Sequence, residues 1–429
     1  MKLSRITAAV LFGFTVASLV AGPEEAFVLP DALKSTVPEI PADQNNLTKF
    51  FTAFPKSTPE ITKLLREAEE RLNAGKDVDN QDLLEKLRKS HRLAKDLLKP
   101  PLSFTLEMEV SNTTSLIRLF QGAGVLGRQA MFEKDYSKAD DLIGDMLEWS
   151  RLLRNARPNL VQALISRYGW KCAFNALLLD LANHPDQPKR LAEIKQFHAK
   201  NRIERAELME SLKSEALWSA HTGGLKKLLK DENYADMMTF YLKPPFNKLS
   251  AEDLLKLPYD TEAEFRREMN EMLGMLECLK KGTPMVHWPG YEIPVTGHTL
   301  EDYAKRPNGL GELYREQMDP SMRRVFWCGT LSHSPLVDAC LHWLKLERDG
   351  KSIDESSFAN WSDPIDGKPL AIDVKQRTIR SRGPNQKVDP PDPEFGKPPA
   401  AGFTIRGDDS VIVVPRWRTA AIDGGPESK

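Results

Sequence analysis

The chain has 429 residues, 41% of them hydrophobic and 28% charged, which is enough apolar material for a sizeable buried core and excludes an intrinsically disordered protein. Its 60 lysines and arginines nearly cancel its 61 aspartates and glutamates, so no global field points to nucleic acid or to an anionic membrane surface, and such a partner would need a local patch. The 30 prolines crowd the start and the last fifth and spare the leucine-rich middle, so they mark the boundaries.

At the N-terminus Lys2 and Arg5 precede an apolar run from Ile6 to about Ala21, and Pro23, Glu24 and Glu25 follow it. Basic, then apolar, then polar is the order of a secretory signal. The run falls short of the roughly 20 apolar residues that span a bilayer, and Leu19-Val20-Ala21 supplies small-residue cleavage chemistry. Residues 1–22 are therefore expected to act as a cleaved signal peptide or a retained membrane anchor, an ordinary buried helix being the third account. No cysteine lies just after the run, which argues against a lipoprotein anchor. The expected location is extracytoplasmic, periplasmic or secreted, with membrane contact only through an uncleaved N-terminal segment.

A helical domain is expected over residues 40–281. Thr58 caps a segment with Pro59 in its first turn and Ile61, Leu64, Leu65, Ala68 and Leu72 along one stripe, closed by Gly75. The next stripe holds Leu83, Leu84, Leu87, Ala94, Leu97 and Leu98 and stops at Pro100-Pro101. Ser137 opens a third with Leu142, Ile143, Met146, Leu147 and Leu153, ended by Pro158, and a fourth apolar helix runs over 160–181 to His184-Pro185. Residues 193–229 continue helical with a charged, solvated face (Glu204, Arg205, Glu207, Glu210, Lys213) until Gly223-Gly224 breaks the pattern. Lys243-Pro244-Pro245 and Leu257-Pro258 interrupt the chain before a helix over 262–281. Consecutive amphipathic hairpins must bury their stripes against one another, so the fold class is mainly α, helical hairpins in a bundle or array. Gly122-Ala123-Gly124-Val125-Leu126-Gly127 matches the dinucleotide-binding spacing, but it continues a helical stripe from Leu116 into Ala130 and Met131, so close helix packing is the better account.

From 282 to 324 the pattern dissolves into Thr283-Pro284, Trp288-Pro289-Gly290, Ile293-Pro294 and Pro307. An irregular connecting segment is expected, either a packed surface connection or the lining of a cleft. Eight histidines, among them His287, His298, His333 and His342, show no zinc-binding spacing, and Ser332-His333-Ser334 is adjacency rather than a triad, whose members must converge in space. Four cysteines, Cys172, Cys278, Cys328 and Cys340, are read first as small buried hydrophobes; if a bridge forms, Cys328 with Cys340 is the favoured pair.

The tail, 325–418, is expected to be a small α+β module, followed by a disordered end over 419–429. An amphipathic helix over 336–348 (Leu336, Ala339, Cys340, Trp343, Leu344) is closed by Gly350. A chain reversal follows at Asp363-Pro364-Ile365-Asp366-Gly367-Lys368-Pro369-Leu370, then two short strands near 370–374 and 377–381, and two more, 403–406 and 410–414, around Gly407-Asp408-Asp409.

These tail motifs, with Ser381, Gly383-Pro384-Asn385 and Asp389 between them, resemble the C-terminal half of a broad group of uncharacterised exported bacterial proteins, whose ends are similar to the globular part of type II secretion pseudopilins. The resemblance covers about 325–415. Glu133-Lys134-Asp135-Tyr136, Arg157-Pro158-Asn159-Leu160 and Ile40-Pro41-Ala42-Asp43-Gln44-Asn45 are similar to the helical-hairpin and entry segments of the same group. A pseudopilin's leader, in which a processing Gly-Phe opens a long helix with glutamate near its start, is not matched, so fibre assembly is not implied. The resemblance implies calcium as the one cofactor to consider, with Asp389, Asp392, Asp408 and Asp409 as candidate ligands; Pro390, Pro391 and Pro393 interrupt that loop, and turn and cap roles are the other account.

Two functions follow. One is an extracytoplasmic interaction or structural protein with a protein partner. The other is a hydrolase whose site lies between the helical body and 282–320 and uses Glu292, His287 or Asp302 as acid and base.

Overall fold

Short polar side chains at the heads of helices set much of the architecture. Thr58 accepts a hydrogen bond from the Ile61 N–H, Asn80 from Leu83, Asp135 from Lys138, Asp186 from Lys189 and Asp260 from Ala263, each satisfying an amide that the helix itself leaves unpaired. In the computed structural model, which describes residues 28–55, 58–105, 111–222, 224–230, 239, 242–291, 297–317, 329–383, 386–388, 401–406 and 409–417, these heads open a chain of α-helices. They are α1 (Asn46–Ala53), α2 (Pro59–Asn73), α3 (Gln81–Leu97), α4 (Ser111–Phe132), α5 (Tyr136–Arg154), α6 (Leu160–Asn183), α7 (Gln187–Asn201), α8 (Arg205–Thr222), α9 (Leu225–Lys230), α10 (Ala251–Leu255), α11 (Thr261–Lys281), α12 (Leu300–Ala304), α13 (Gly309–Gln317) and α14 (Gly329–Arg348). One antiparallel sheet follows, of β1 (Ala371–Asp373), β2 (Thr378–Ser381), β3 (Gly402–Arg406) and β4 (Asp409–Val413), in the order β1-β2-β4-β3. The fold is thus mainly α with a small C-terminal sheet, as the sequence pattern requires. No helix among the described residues is long and apolar enough to cross a membrane.

The apolar stripes pair off in series. Leu65, Leu84, Leu126 and Leu142 bind α2 and α3 to α4 and α5, while Leu212, Met272 and Leu276 join α8 to α11 with Met285, Trp288 and Ile365 alongside. Leu229, Leu254, Tyr303 and Leu313 gather α9, α10, α12 and α13. The largest cluster, with Phe50, Phe120, Met146, Trp170 and Phe174, also takes in Trp343 of α14 and Ile379, Phe403 and Ile412 of the sheet. Ile372, Ile379, Ile412 and Phe403 lie opposite one another across the four strands, so one cross-strand row packs the tail onto the helical body. Gly122, Gly124 and Gly127 all fall inside α4. A Cβ on Gly122 would stand 2.8 Å from the Leu87 side chain of α3, and one on Gly127 3.5 Å from Ile143 of α5; these glycines serve helix contact, and no phosphate loop forms there.

Three details differ from the sequence pattern. The segment expected to be irregular carries a 3-10 turn (Met285–His287) and both α12 and α13; Thr299 and Asp302 form a reciprocal capping box that the surrounding prolines and glycines obscure. The charged stretch over 193–229 is divided at Arg202, where an extended backbone separates α7 from α8. Finally, α14 starts at Gly329 rather than 336 and keeps Pro335 inside it. Proline cannot donate to the Leu331 carbonyl and crowds the preceding turn, so side-chain contacts hold this end: Ser334 Oγ accepts from the Ile203 N–H at 3.1 Å and Thr330 Oγ1 from Arg167 at 2.8 Å.

Candidate functional site

The acid–base candidates of the 282–320 region do not assemble. Asp302 accepts hydrogen bonds from the N–H and hydroxyl of Thr299, at 2.7 and 2.9 Å, and these hold its carboxyl below the usual range. His287 is exposed in its 3-10 turn, and no hydrogen bond or ion pair joins it to Asp302. His298 faces the Tyr303 ring, 5.8 Å between centroids. Glu292 lies outside the described residues. So do Asp389, Asp392 and Asp408 of the calcium set; Asp409 is buried and accepts from the Gly383 N–H at 3.0 Å, a brace across the sheet end. Among the described residues no group of three or more histidine, cysteine, aspartate or glutamate side chains could hold a metal ion. Cys340 is a buried free thiol and Cys172 and Cys278 are half-buried free thiols, while Cys328 lies outside the described residues. Burial pushes the Cys172 and Cys340 thiols up to about 12, which leaves essentially no thiolate near neutrality.

The reversal at Asp363 is a built turn. The Asp363 carboxylate accepts from the Ile365 N–H (3.0 Å), the Ser381 hydroxyl (2.7 Å) and the Arg382 N–H (2.6 Å), tying the turn to the end of β2. Gly367 supplies the left-handed residue the turn needs, at φ 76°.

The most unusual chemistry lies where α6 meets the start of α14. α6 is apolar on all sides, as a helix in the centre of a core should be, yet it carries Arg167 and Lys171 one turn apart. Arg167 is 2% exposed. Its Nη1 donates to Thr330 Oγ1 in the first turn of α14, while its Nε and Nη2 are buried with no acceptor among the described residues. Nearby, Arg154 is 1% exposed and is answered by Glu207 at 2.8 Å; its Nη1 also donates to Ser150, whose hydroxyl donates to the Ser166 carbonyl. Burial and the Arg154 charge lower Arg167 to about 9, Glu207 opposing them, so the guanidinium remains charged at neutral pH.

His333 completes the group. Its ring stacks on Trp170, 5.9 Å between centroids and 11° between planes, and meets Phe403 edge-on at 4.9 Å. Its Nδ1 is buried without a partner among the described residues. Burial, with the Lys171 and Arg167 charges beside it, holds the imidazole well below its ordinary value, hence neutral. Lys171 is half-buried and makes no ion pair with a described residue. Two buried cations, Arg154 and Arg167, thus lie beside Glu207, and Lys171 stands one turn along α6 from Arg167. The sequence pattern did not single out this group, although two basic residues in an otherwise apolar stretch were a visible signal.

Comparison with protein-family models, with curated proteins and with solved structures found no match. Function has to be read from the chain's own chemistry.

Proposed function

We propose that this is an exported interaction protein that works outside the cytoplasm by binding a protein partner, with the hairpin array as its scaffold and the strand-bearing tail locked onto it. The observation that carries this reading is how the charged side chains are used. Asp302, one of the acid–base candidates of the 282–320 region, is spent on a helix cap, and the buried Arg154 and Arg167 tie helices to one another through Glu207 and Thr330. His333, whose basicity burial lowers and which no carboxylate among the described residues orients, is poorly suited to general-base work. The basic-apolar leader supports export, and the tail's resemblance to secreted proteins with pseudopilin-like ends agrees with it.

The purified full chain, incubated with ester, peptide, glycoside and phosphoester substrates, is expected to give no turnover above buffer. Turnover that disappears in both His287→Ala and Asp302→Ala variants would establish the hydrolase instead.

A further inference from the structure

A charged guanidinium in a protein interior requires acceptors, because desolvation without compensation costs several kcal/mol. Arg167 is provided with one. The Thr330 hydroxyl takes Nη1, and the atoms left over, Nε and Nη2, are the two donors of one edge of the planar group. That edge is the fork that grips the two oxygens of a carboxylate in parallel hydrogen bonds. Were two unrelated nitrogens left unpaired, no ligand shape would follow; a whole edge left open does specify one.

Three further observations agree on the sign and character of what the fork would hold. Lys171 stands one turn along α6 from Arg167, so a second cation lies on the same face of the helix. Arg167 contacts the first turn of α14, a 20-residue helix whose leading amides carry partial positive charge. Glu207 is engaged by Arg154 through the oxygen that also receives the Glu204 N–H. Trp170, three residues along α6 from Arg167, packs with Phe403 and the neutral His333 ring.

We propose that Arg167, Lys171 and the head of α14 form a buried receptor for the carboxylate of a small monocarboxylic acid, with Arg167 binding both oxygens and the Trp170–His333–Phe403 rings flanking the apolar part. A carboxylate is favoured over a phosphate because one fork and one ammonium match two oxygens and a single charge. The inference does not depend on export or on a protein partner.

The test is thermal unfolding of the full chain in increasing sodium acetate or sodium benzoate, with sodium chloride holding ionic strength constant and inorganic phosphate as a separate arm. Ligand that binds only the folded state raises the midpoint in a saturable way. That rise is expected with the carboxylates, larger with benzoate, and absent with chloride. Arg167→Met keeps the apolar stem and removes the unsatisfied charge; it is expected to unfold no earlier than the parent without carboxylate and to lose the response. Arg167→Lys, which keeps charge but not the fork, is expected to bind at least tenfold more weakly. Should Arg167→Met fail to fold, Lys171→Met at its half-buried position carries the test, with binding weakened several-fold. An unchanged response in Arg167→Met or Lys171→Met, a parent that ignores both carboxylates, or a response to phosphate alone would overturn the proposal.

Discussion

Asp363 offers the sharpest stability experiment, because both its size and its pH dependence follow from the structure. Replacing it with alanine strands two backbone N–H groups and one hydroxyl that now donate to it, and leaving a buried donor unpaired costs about 1–3 kcal/mol. The Arg382 amide is only partly buried and regains some hydration, so the expected loss is roughly 3–5 kcal/mol near pH 5. Burial, with the Asp366 charge beside it, pushes the Asp363 carboxyl up to about 6 against the pull of its three hydrogen bonds, from an ordinary value of 3.8. A folded value above the unfolded one means that its contribution is fully present below about pH 4 and is lost as pH rises through about 6. Between pH 5 and pH 8 this removes roughly 1.4 kcal/mol, a tenfold change in the ratio of folded to unfolded chains. Urea unfolding of parent and Asp363→Ala, followed by tryptophan fluorescence at pH 5, 6, 7 and 8, should therefore show a gap that narrows with rising pH. A gap that widens toward pH 8 would mean that the three donors outweigh burial and hold the carboxylate ionised, and the reasoning would fail.

Two other substitutions probe the core and its ion pairs. A Cβ on Gly169 in α6 would stand 2.4 Å from the ring of Phe120, which is itself fully buried; overpacking of about 1–3 kcal/mol should outweigh the roughly 1 kcal/mol that alanine gains in a helix, so Gly169→Ala is expected to lower the thermal midpoint, and a rise would contradict the packing of α4 on α6. Arg190, wholly buried, stands 2.6 Å from both Asp180 and Asp140 and 2.9 Å from Glu193; Arg190→Met leaves these carboxylates without their cation and should cost about 3–5 kcal/mol in urea unfolding, whereas a loss below about 1 kcal/mol would show that the network contributes little.

Local chemistry made the architecture readable. Thr58 caps α2 where the sequence places its start, and Gly282 ends α11 in the left-handed conformation, at φ 69°, whereas α5 is capped by Asp135 and begins before Ser137, the residue expected to open it. The tail was legible for the same reason: an aspartate, a proline and a glycine at fixed offsets make the 363–370 reversal, and four short β-rich runs pair into the sheet. What escaped was nonlocal or masked by composition. Two short helices hid among prolines, and Pro335 concealed the first two turns of α14, which are held by contacts with Arg167 and Ile203 rather than by propensity. The cation group escaped because Arg167 and Thr330 are 163 positions apart in the chain. A hydrophobic helix bearing two bases announces that something must answer them, but only the packing of α14 shows that Thr330 answers a single nitrogen.

The proposed location outside the cytoplasm can be tested directly by one measurement. The full chain, carrying a C-terminal tag, is expressed in a bacterial host, the cells are fractionated, and the recovered protein is sequenced from its N-terminus. The expected result is protein in the extracytoplasmic or membrane fraction, beginning close after Ala21 if the leader is cleaved and at Met1 if it is kept as an anchor. Soluble protein confined to the cytoplasm, with residues 1–22 intact, would contradict it.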